Sequence, residues 1–236
     1  MKYYLMPLHT HPDHGYGMMG TTYRDAADNI TDTKQYKKDW YSALPVCYLR
    51  RHSIELYLKS GIILFHKKFE INFENDSYDS EPKVRMSNGK WELLRKIHNI
   101  GVLYDRVNEL INSQMEFLTK NTKCIWKFDD NFMKWINIVN GYDSGSDYFR
   151  YPVTRDENRD KRKNAFKENT IEGMQDEIAS GKGGMVFVLQ NSKGEITSLY
   201  NHDSSKIDTI YHALENASNQ LAGFHAMVRT ELFDGF

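Results

Sequence analysis

The sequence has little of three features that would narrow its class: cysteine, long apolar runs and charge of one sign. Its two cysteines, Cys47 and Cys124, lie far apart, so no disulfide framework is indicated and we expect a reducing, cytoplasmic environment. The longest strongly apolar run, residues 61–65, is far shorter than the ~20 residues that span a bilayer, and the first residues lack the basic and apolar regions of a signal peptide. Lys and Arg number 31 against 32 Asp and Glu, so any contact with nucleic acid would depend on a local basic patch.

The spacing of the apolar residues predicts a mainly α protein. Residues 46–69, 90–118, 129–140 and 204–230 carry helical patterns, and a further helix is predicted from about residue 33 or 35 to Pro45. Residues 70–89 are polar with helix breakers and predict a loop. Residues 184–201 predict two short strands joined by a Ser-Lys-Gly turn. We therefore predict an irregular N-terminal arm at 1–33 and one helical domain at 34–236, with a β-hairpin near 184–201 and a C-terminal helix.

The predicted arm carries a histidine motif. His9, His11, Asp13 and His14 form H-x-H-x-D-H, which resembles the zinc-ligand signature of metallo-β-lactamase-fold hydrolases. In that fold the motif follows several strands, whereas only eight residues precede His9 here and the following segments have helical patterns. We therefore expect a polar arm with solvated histidines. A metal-dependent hydrolase that uses these four residues is the minor alternative.

A second pattern lies in two of the predicted helices. Residues 49–62, LRRHSIELYLKSGI, and 96–107, KIHNIGVLYDRV, with FRYP at 149–152, resemble the HEPN superfamily (higher eukaryotes and prokaryotes nucleotide-binding) over about residues 40–155. The resemblance implies an antiparallel helical bundle that needs no cofactor, binds or acts on RNA or nucleotides, and commonly forms a homodimer. Many members are metal-independent ribonucleases of toxin–antitoxin or phage-defence systems, which implies an antitoxin or regulatory protein as partner. Others bind without catalysis.

The sequence departs from the ribonuclease pattern, because no histidine has an arginine five to seven residues before it. We therefore predict a composite site. Arg51, Glu55 and Lys59 follow at i, i+4 and i+8 on one helix face, and antiparallel packing would bring His98 to them. His98 would act as general acid or base, Arg51 or Lys59 would bind phosphate, and Glu55 would orient the site. The competing interpretation is a polar network with a structural role alone.

Three more residues are candidates for contact with nucleic acid. Asn99 follows His98 and would reach the same polar face. Arg150 lies between two aromatic residues and before a proline, and the neighbouring Tyr151 offers a ring on which a base can stack. The alternative for Arg150 is an ordered structural arginine that reaches a carboxylate of the bundle.

Overall fold

A computed structural model describes residues 2–33, 40–154, 156–163, 166–180, 185–203 and 205–235. The helices are α1 (Lys2–Leu5), α2 (Tyr16–Thr31), α3 (Trp40–Lys68), α4 (Ile100–Ser113), α5 (Met115–Asn121), α6 (Phe132–Asp143), α7 (Glu157–Asp160), α8 (Ile171–Ala179) and α9 (Ser205–Phe233). The strands are β1 (Lys83–Arg85), β2 (Trp91–Leu93), β3 (Phe166–Asn169), β4 (Val186–Gln190) and β5 (Ile196–His202). The mainly helical character predicted from the sequence is confirmed. Within these ranges no helix is both long and apolar enough to cross a membrane.

Helix α3 is the centre of the fold. It packs against α2, α4 and α9, and every residue from Ser53 to His66 is buried. A helix that is buried all round must pair its polar side chains within the protein, because an unpaired buried polar group is costly. This stretch includes Glu55 and Lys59. The partners of the polar residues on α3 therefore show how the surrounding helices are arranged.

The predicted antiparallel arrangement of the two helices in the HEPN-like stretch is wrong. Glu55, near the middle of α3, faces His98 just before α4, and His66, at the end of α3, contacts Arg106 in the middle of α4. These contacts advance in the same direction along both helices, so α3 and α4 run parallel. The connection explains the difference, because residues 69–99 include the β1–β2 hairpin and return the chain to the level of Glu55 before α4 begins.

Helix α9 also runs parallel to α3, whereas α2 runs antiparallel to it. Arg50 donates a hydrogen bond to Ser218 near the middle of α9, and Lys68 at the end of α3 lies over the ring of Phe233 at the end of α9. On the other side, Arg50 pairs with Asp28 near the end of α2, and Tyr57, further along α3, donates to Thr21 nearer the start of α2. The bundle therefore combines both helix directions around α3.

The N-terminal segment is not the irregular arm that its composition predicts. Residues 16–31 form α2, and Ala27 lies in the core. Gly17 and Gly20 suggest a loop in the sequence, but here they allow close helix packing: a Cβ at Gly17 would lie 2.0 Å from His225 Nε2. At Gly20 the backbone carbonyl accepts a hydrogen bond from Ser53 Oγ of α3 at 2.8 Å. These glycines are sites of contact, which composition alone does not reveal.

Several predicted boundaries also change. We predicted that one helix ends at Pro45, but α3 begins at Trp40 and continues through Pro45. Residues 34–39, which belong to the predicted helix, lie outside the described ranges. Pro45 is exposed and is the sixth residue of α3, so the helix continues although the N–H that would pair with the carbonyl of residue 41 is missing. Residues 83–85 and 91–93 pair as β1 and β2 within what was predicted to be a loop and the start of a helix. The helix predicted over 90–118 is divided into α4 and α5 at Gln114.

The predicted late hairpin is confirmed by β4 and β5, although residues 181–184 lie outside the described ranges. The sequence did not indicate a third strand, β3, which pairs with β5 and gives the order β3-β5-β4. Residues 166–169 are mostly polar, and their pairing depends on the edge that β5 offers rather than on an apolar pattern. The predicted C-terminal helix is confirmed as α9.

Candidate functional site

Arg51 is the structural centre of the predicted composite site. Its side chain is fully buried, and Nη1 donates to Glu55 Oε2 at 3.2 Å. Nη2 donates to the carbonyl of His98 at 2.5 Å, and both Nε and Nη2 approach the carbonyl of Asp143 at 3.3 Å. Arg51 thus joins α3 to the start of α4 and to the end of α6. Because its donors are directed at protein acceptors, Arg51 is not presented to a phosphate.

Glu55 is held as a buried carboxylate between two cations. Lys59 Nζ donates to its Oε1 at 2.7 Å, and Arg51 donates to its Oε2. Burial by itself would raise the pKa of Glu55, but the positive charges of Lys59 and Arg51 lower that pKa below its ordinary value. Glu55 is therefore ionised at neutral pH. Lys59 is itself buried, so like Arg51 it is engaged within the protein.

His98 is the one member of this network with a half-exposed side chain, at 50%. Its Nδ1 lies 3.1 Å from Glu55 Oε1. A histidine that donates from Nδ1 to a carboxylate holds its ring in one orientation and leaves Nε2 as the basic nitrogen of the neutral ring. The arrangement can therefore move a proton at His98 Nε2. It places the predicted acid–base residue beside the predicted orienting carboxylate, although the helices run parallel.

Asn99 has a local structural task. Its side-chain oxygen accepts a hydrogen bond from the backbone N–H of Val102 at 3.1 Å, which caps the N-terminus of α4. The cap begins α4 directly after His98, so the position of the imidazole depends on this helix start. The cap uses the side-chain oxygen, so the predicted contact of Asn99 with nucleic acid would have to use its Nδ2 donors.

A groove lies beside Arg150, which is exposed on the loop after α6. The groove is open to solvent and has a volume of about 510 Å³; it is lined by Leu44, Pro45, Tyr48, Phe149, Arg150, Tyr151 and Pro152. The Arg150 guanidinium lies 5.6 Å from the ring centre of Tyr48 and 5.8 Å from that of Tyr151, and Nη2 is 3.4 Å from the Tyr48 hydroxyl. Arg150 thus contacts tyrosine rings, unlike the carboxylate partner considered from the sequence.

Tyr48 continues the aromatic surface along α3. Its ring stacks on His52 at 5.9 Å with an interplanar angle of 5°, and His52 meets the edge of Tyr23 from α2 at 4.6 Å. Burial lowers the pKa of His52, which favours its neutral ring. The sequence analysis missed Tyr48. The available signal was its spacing: Tyr48, His52 and Glu55 lie at i, i+4 and i+7, so they share one face of α3.

The four residues of the N-terminal histidine motif differ in burial and do not form one cluster. His9 and His14 are exposed, whereas His11 is buried, with its ring 4.4 Å from that of Tyr3. In the described part of the chain, no three His, Cys, Asp or Glu side chains converge as metal ligands. The structure therefore does not bring the four motif residues together as the metal alternative requires.

Asp13 of this motif joins the start of α2 to α3. It accepts hydrogen bonds from the backbone N–H groups of Gly15 at 3.0 Å and Gly17 at 2.8 Å, and from Ser60 Oγ at 2.6 Å. His225 Nε2 of α9 lies 3.5 Å away. Burial would raise the pKa of Asp13, but His225, Ser60 and the Gly17 N–H lower it well below its usual range. Asp13 is therefore a buried anion that orders three helices.

Comparison of the chain with protein-family models, with curated proteins and with solved structures found no match. The geometry of the residues is therefore the basis on which a function is proposed.

Proposed function

We propose that this protein is a HEPN-like protein that binds RNA or a nucleotide in the groove formed by Tyr48, Arg150 and Tyr151. The observation that carries the proposal is that the exposed Arg150 guanidinium lies 5.6 Å from the ring centre of Tyr48 and 5.8 Å from that of Tyr151. Aromatic rings stack on bases, and an arginine beside them can bind phosphate or stack on a base in turn. The resemblance over residues 40–155 supports the same ligand class, a cytoplasmic homodimer and a regulatory protein partner as parts of the proposal.

The groove favours single-stranded RNA over a duplex. A base can lie on Tyr151, which is 51% exposed, only when it is unstacked from its own neighbours. Stacking of one base on an aromatic ring contributes ~1–3 kcal/mol, whereas the net charge of −1 offers no long-range attraction to phosphate. Binding should therefore depend on these few side chains rather than on the overall charge.

Fluorescence anisotropy with a labelled single-stranded RNA tests the binding proposal. We expect Arg150→Ala and Tyr151→Ala each to weaken binding about 5- to 150-fold, the range that a loss of ~1–3 kcal/mol produces. Lys127→Ala is the matched control, since it also removes one exposed cation but lies before α6, at the end opposite to the groove. Equal weakening in the control, or unchanged binding in both groove variants, would contradict the proposal.

The geometry at His98 favours a second function, metal-independent cleavage of RNA. His98 Nε2 would remove the proton of a ribose 2′-hydroxyl, whose oxygen attacks the adjacent phosphorus while the bond to the 5′-oxygen breaks. The leaving 5′-oxygen would take a proton from solvent water and the imidazolium would release its proton to solvent, so the products would be a 2′,3′-cyclic phosphate and a 5′-hydroxyl. Glu55 would orient the imidazole and stabilise its protonated form. Arg51, which is fully engaged, would hold the network in place instead of binding the phosphate.

Cleavage of a mixed RNA pool with and without EDTA tests this second function. We expect cleavage that persists in EDTA and falls at least 100-fold in His98→Ala, the contribution typical of a general acid or base. His212→Ala is the matched control, because His212 is also exposed and near a carboxylate, at the surface of α9. If the wild-type protein binds RNA and does not cleave it, the non-catalytic binding module is the correct reading.

A further inference from the structure

The edge of the late sheet is unlike the other strand edges of this protein. Strand β4 lies at one side of the order β3-β5-β4, and within the described ranges no strand pairs with its outer edge. Its sequence from Val186 to Gln190, VFVLQ, contains no charged residue. Three of its side chains are substantially exposed: Phe187 at 40%, Val188 at 45% and Leu189 at 52%. An exposed, uncharged, apolar edge strand is a site at which another strand can add.

The remaining edge strands are protected by charge. Strand β3, at the opposite side of the same sheet, carries Lys167 and Glu168, and both strands of the first sheet, β1 and β2, carry charged residues as well. Charges on an edge strand oppose pairing with another chain, since they must be desolvated or brought together. The absence of charge from β4 therefore marks the one described edge at which such protection is missing.

The hydrogen-bond pattern of β4 shows which backbone groups face outward. The N–H of His202 donates to the carbonyl of Met185, and this pair lies in the same register as Val186 with Asn201. Hydrogen-bonded pairs alternate along an antiparallel ladder, so Phe187 directs its N–H and C=O to β5. The corresponding groups of Val186 and Val188 are directed to the outer edge.

We propose that this edge binds β4 of a second copy of the chain, antiparallel about a two-fold axis at Phe187. Val186 then pairs with the partner's Val188, and Val188 with the partner's Val186, and each such pair exchanges two backbone hydrogen bonds. No like charges face each other, because β4 has none. Two three-stranded sheets become one continuous six-stranded sheet with β3, the charged strand, at both ends.

The side chains at the axis fit this pairing. Phe187 lies opposite the partner's Phe187 at a non-hydrogen-bonded pair, where side chains approach most closely. Phe187 already packs edge-on against Phe166 of β3, with ring centres 4.9 Å apart. The dimer would extend this contact to four aromatic rings on one face of the sheet. This interface is argued from β4 alone and does not depend on the proposed RNA-binding groove.

Analytical ultracentrifugation of the full chain over a concentration series, with two substitutions at one position, tests the proposal. Val188→Pro removes an N–H that faces outward and leaves the bonds to β5 intact, so it should give a folded monomer. Val188→Thr keeps the N–H and the branched side chain and should remain a dimer. A wild-type monomer at every concentration, or a Val188→Pro dimer with a native circular dichroism spectrum, would overturn the proposal.

A cross-linking pair tests the register and decides the matter if Val188→Pro fails to fold. Phe187→Cys places two thiols across the axis at a distance that a disulfide can span. Val188→Cys is the matched control: its two thiols are offset by two residues, ~7 Å along the strands. Both variants carry the same native cysteines, Cys47 and Cys124. We expect rapid oxidation to a covalent dimer in the first variant only. Equal cross-linking in both variants, or none in Phe187→Cys, would overturn the register.

Discussion

Replacing Arg51 with alanine should destabilise the protein strongly, because Arg51 is the buried cation that joins three helices. The variant leaves Glu55, which is 2% exposed, with Lys59 as its remaining buried cation. It also leaves the carbonyls of His98 and Asp143 without the guanidinium that they share. Removing one partner of a buried ion pair costs ~3–5 kcal/mol. We expect a loss in that range, which is a large part of the ~5–15 kcal/mol by which a domain is stable.

Equilibrium unfolding in urea, followed by circular dichroism, measures this loss. Arg95→Ala is the matched control, since Arg95 forms an exposed pair with Glu81 and should contribute ~0–1 kcal/mol. In the Arg51→Ala background, Glu55→Gln should cost less than it does alone, because it then takes the partner from one buried cation, Lys59, instead of from two. The structural role of the network would be refuted if Arg51→Ala lost no more stability than Arg95→Ala.

The result also determines how cleavage assays are interpreted. If Arg51→Ala is partly unfolded, its loss of RNA cleavage reports on folding and not on phosphate binding. His98 is half-exposed and contributes less to the core, so His98→Ala should retain most of the wild-type stability. His98→Ala is therefore the variant that separates chemistry from structure.

Three further predictions concern the fold. Burial lowers the pKa of His66 from 6.5 to about 4, so the unfolded chain binds a proton at a higher pH than the folded chain does, and the free energy of unfolding should fall as the pH decreases from 6.5 towards 4. Urea unfolding of His66→Gln should show a smaller fall over that pH range. An equal fall in the variant would contradict this assignment. Gly17→Ala should lower the melting temperature, because the added Cβ would collide with His225. Gly223→Ala on α9 has open space around it and should raise stability by ~0.5–1 kcal/mol. The opposite order of the two melting temperatures would be inconsistent with the helix contact at Gly17. Asn99→Ala should cost ~1 kcal/mol in urea unfolding through loss of the α4 cap, and Asn99→Asp, which can still accept that hydrogen bond, should recover most of it.

Local patterns were sufficient for part of this structure. The spacing of Arg51, Glu55 and Lys59 places them on one helix face wherever that helix packs, because the repeat of an α-helix is fixed by its backbone. The helical character of α3, α4, α6 and α9 and the β4–β5 hairpin followed from apolar period and turn residues in the same way. These are features for which neighbours in sequence supply the physical cause.

Contacts between distant segments decided the rest. The contact between Glu55 and His98 was predicted, but for antiparallel helices. The helices run parallel because residues 69–99 return the chain to the level of Glu55 before α4 begins. Asp143 and Tyr48 had no sequence signal strong enough to join them to the site. Asp13 looked like a metal ligand beside three histidines, yet it accepts hydrogen bonds from Ser60 and from the start of α2. Residue type limits what a side chain can bind, whereas the partner it does bind depends on which groups the folded backbone brings within a few ångströms.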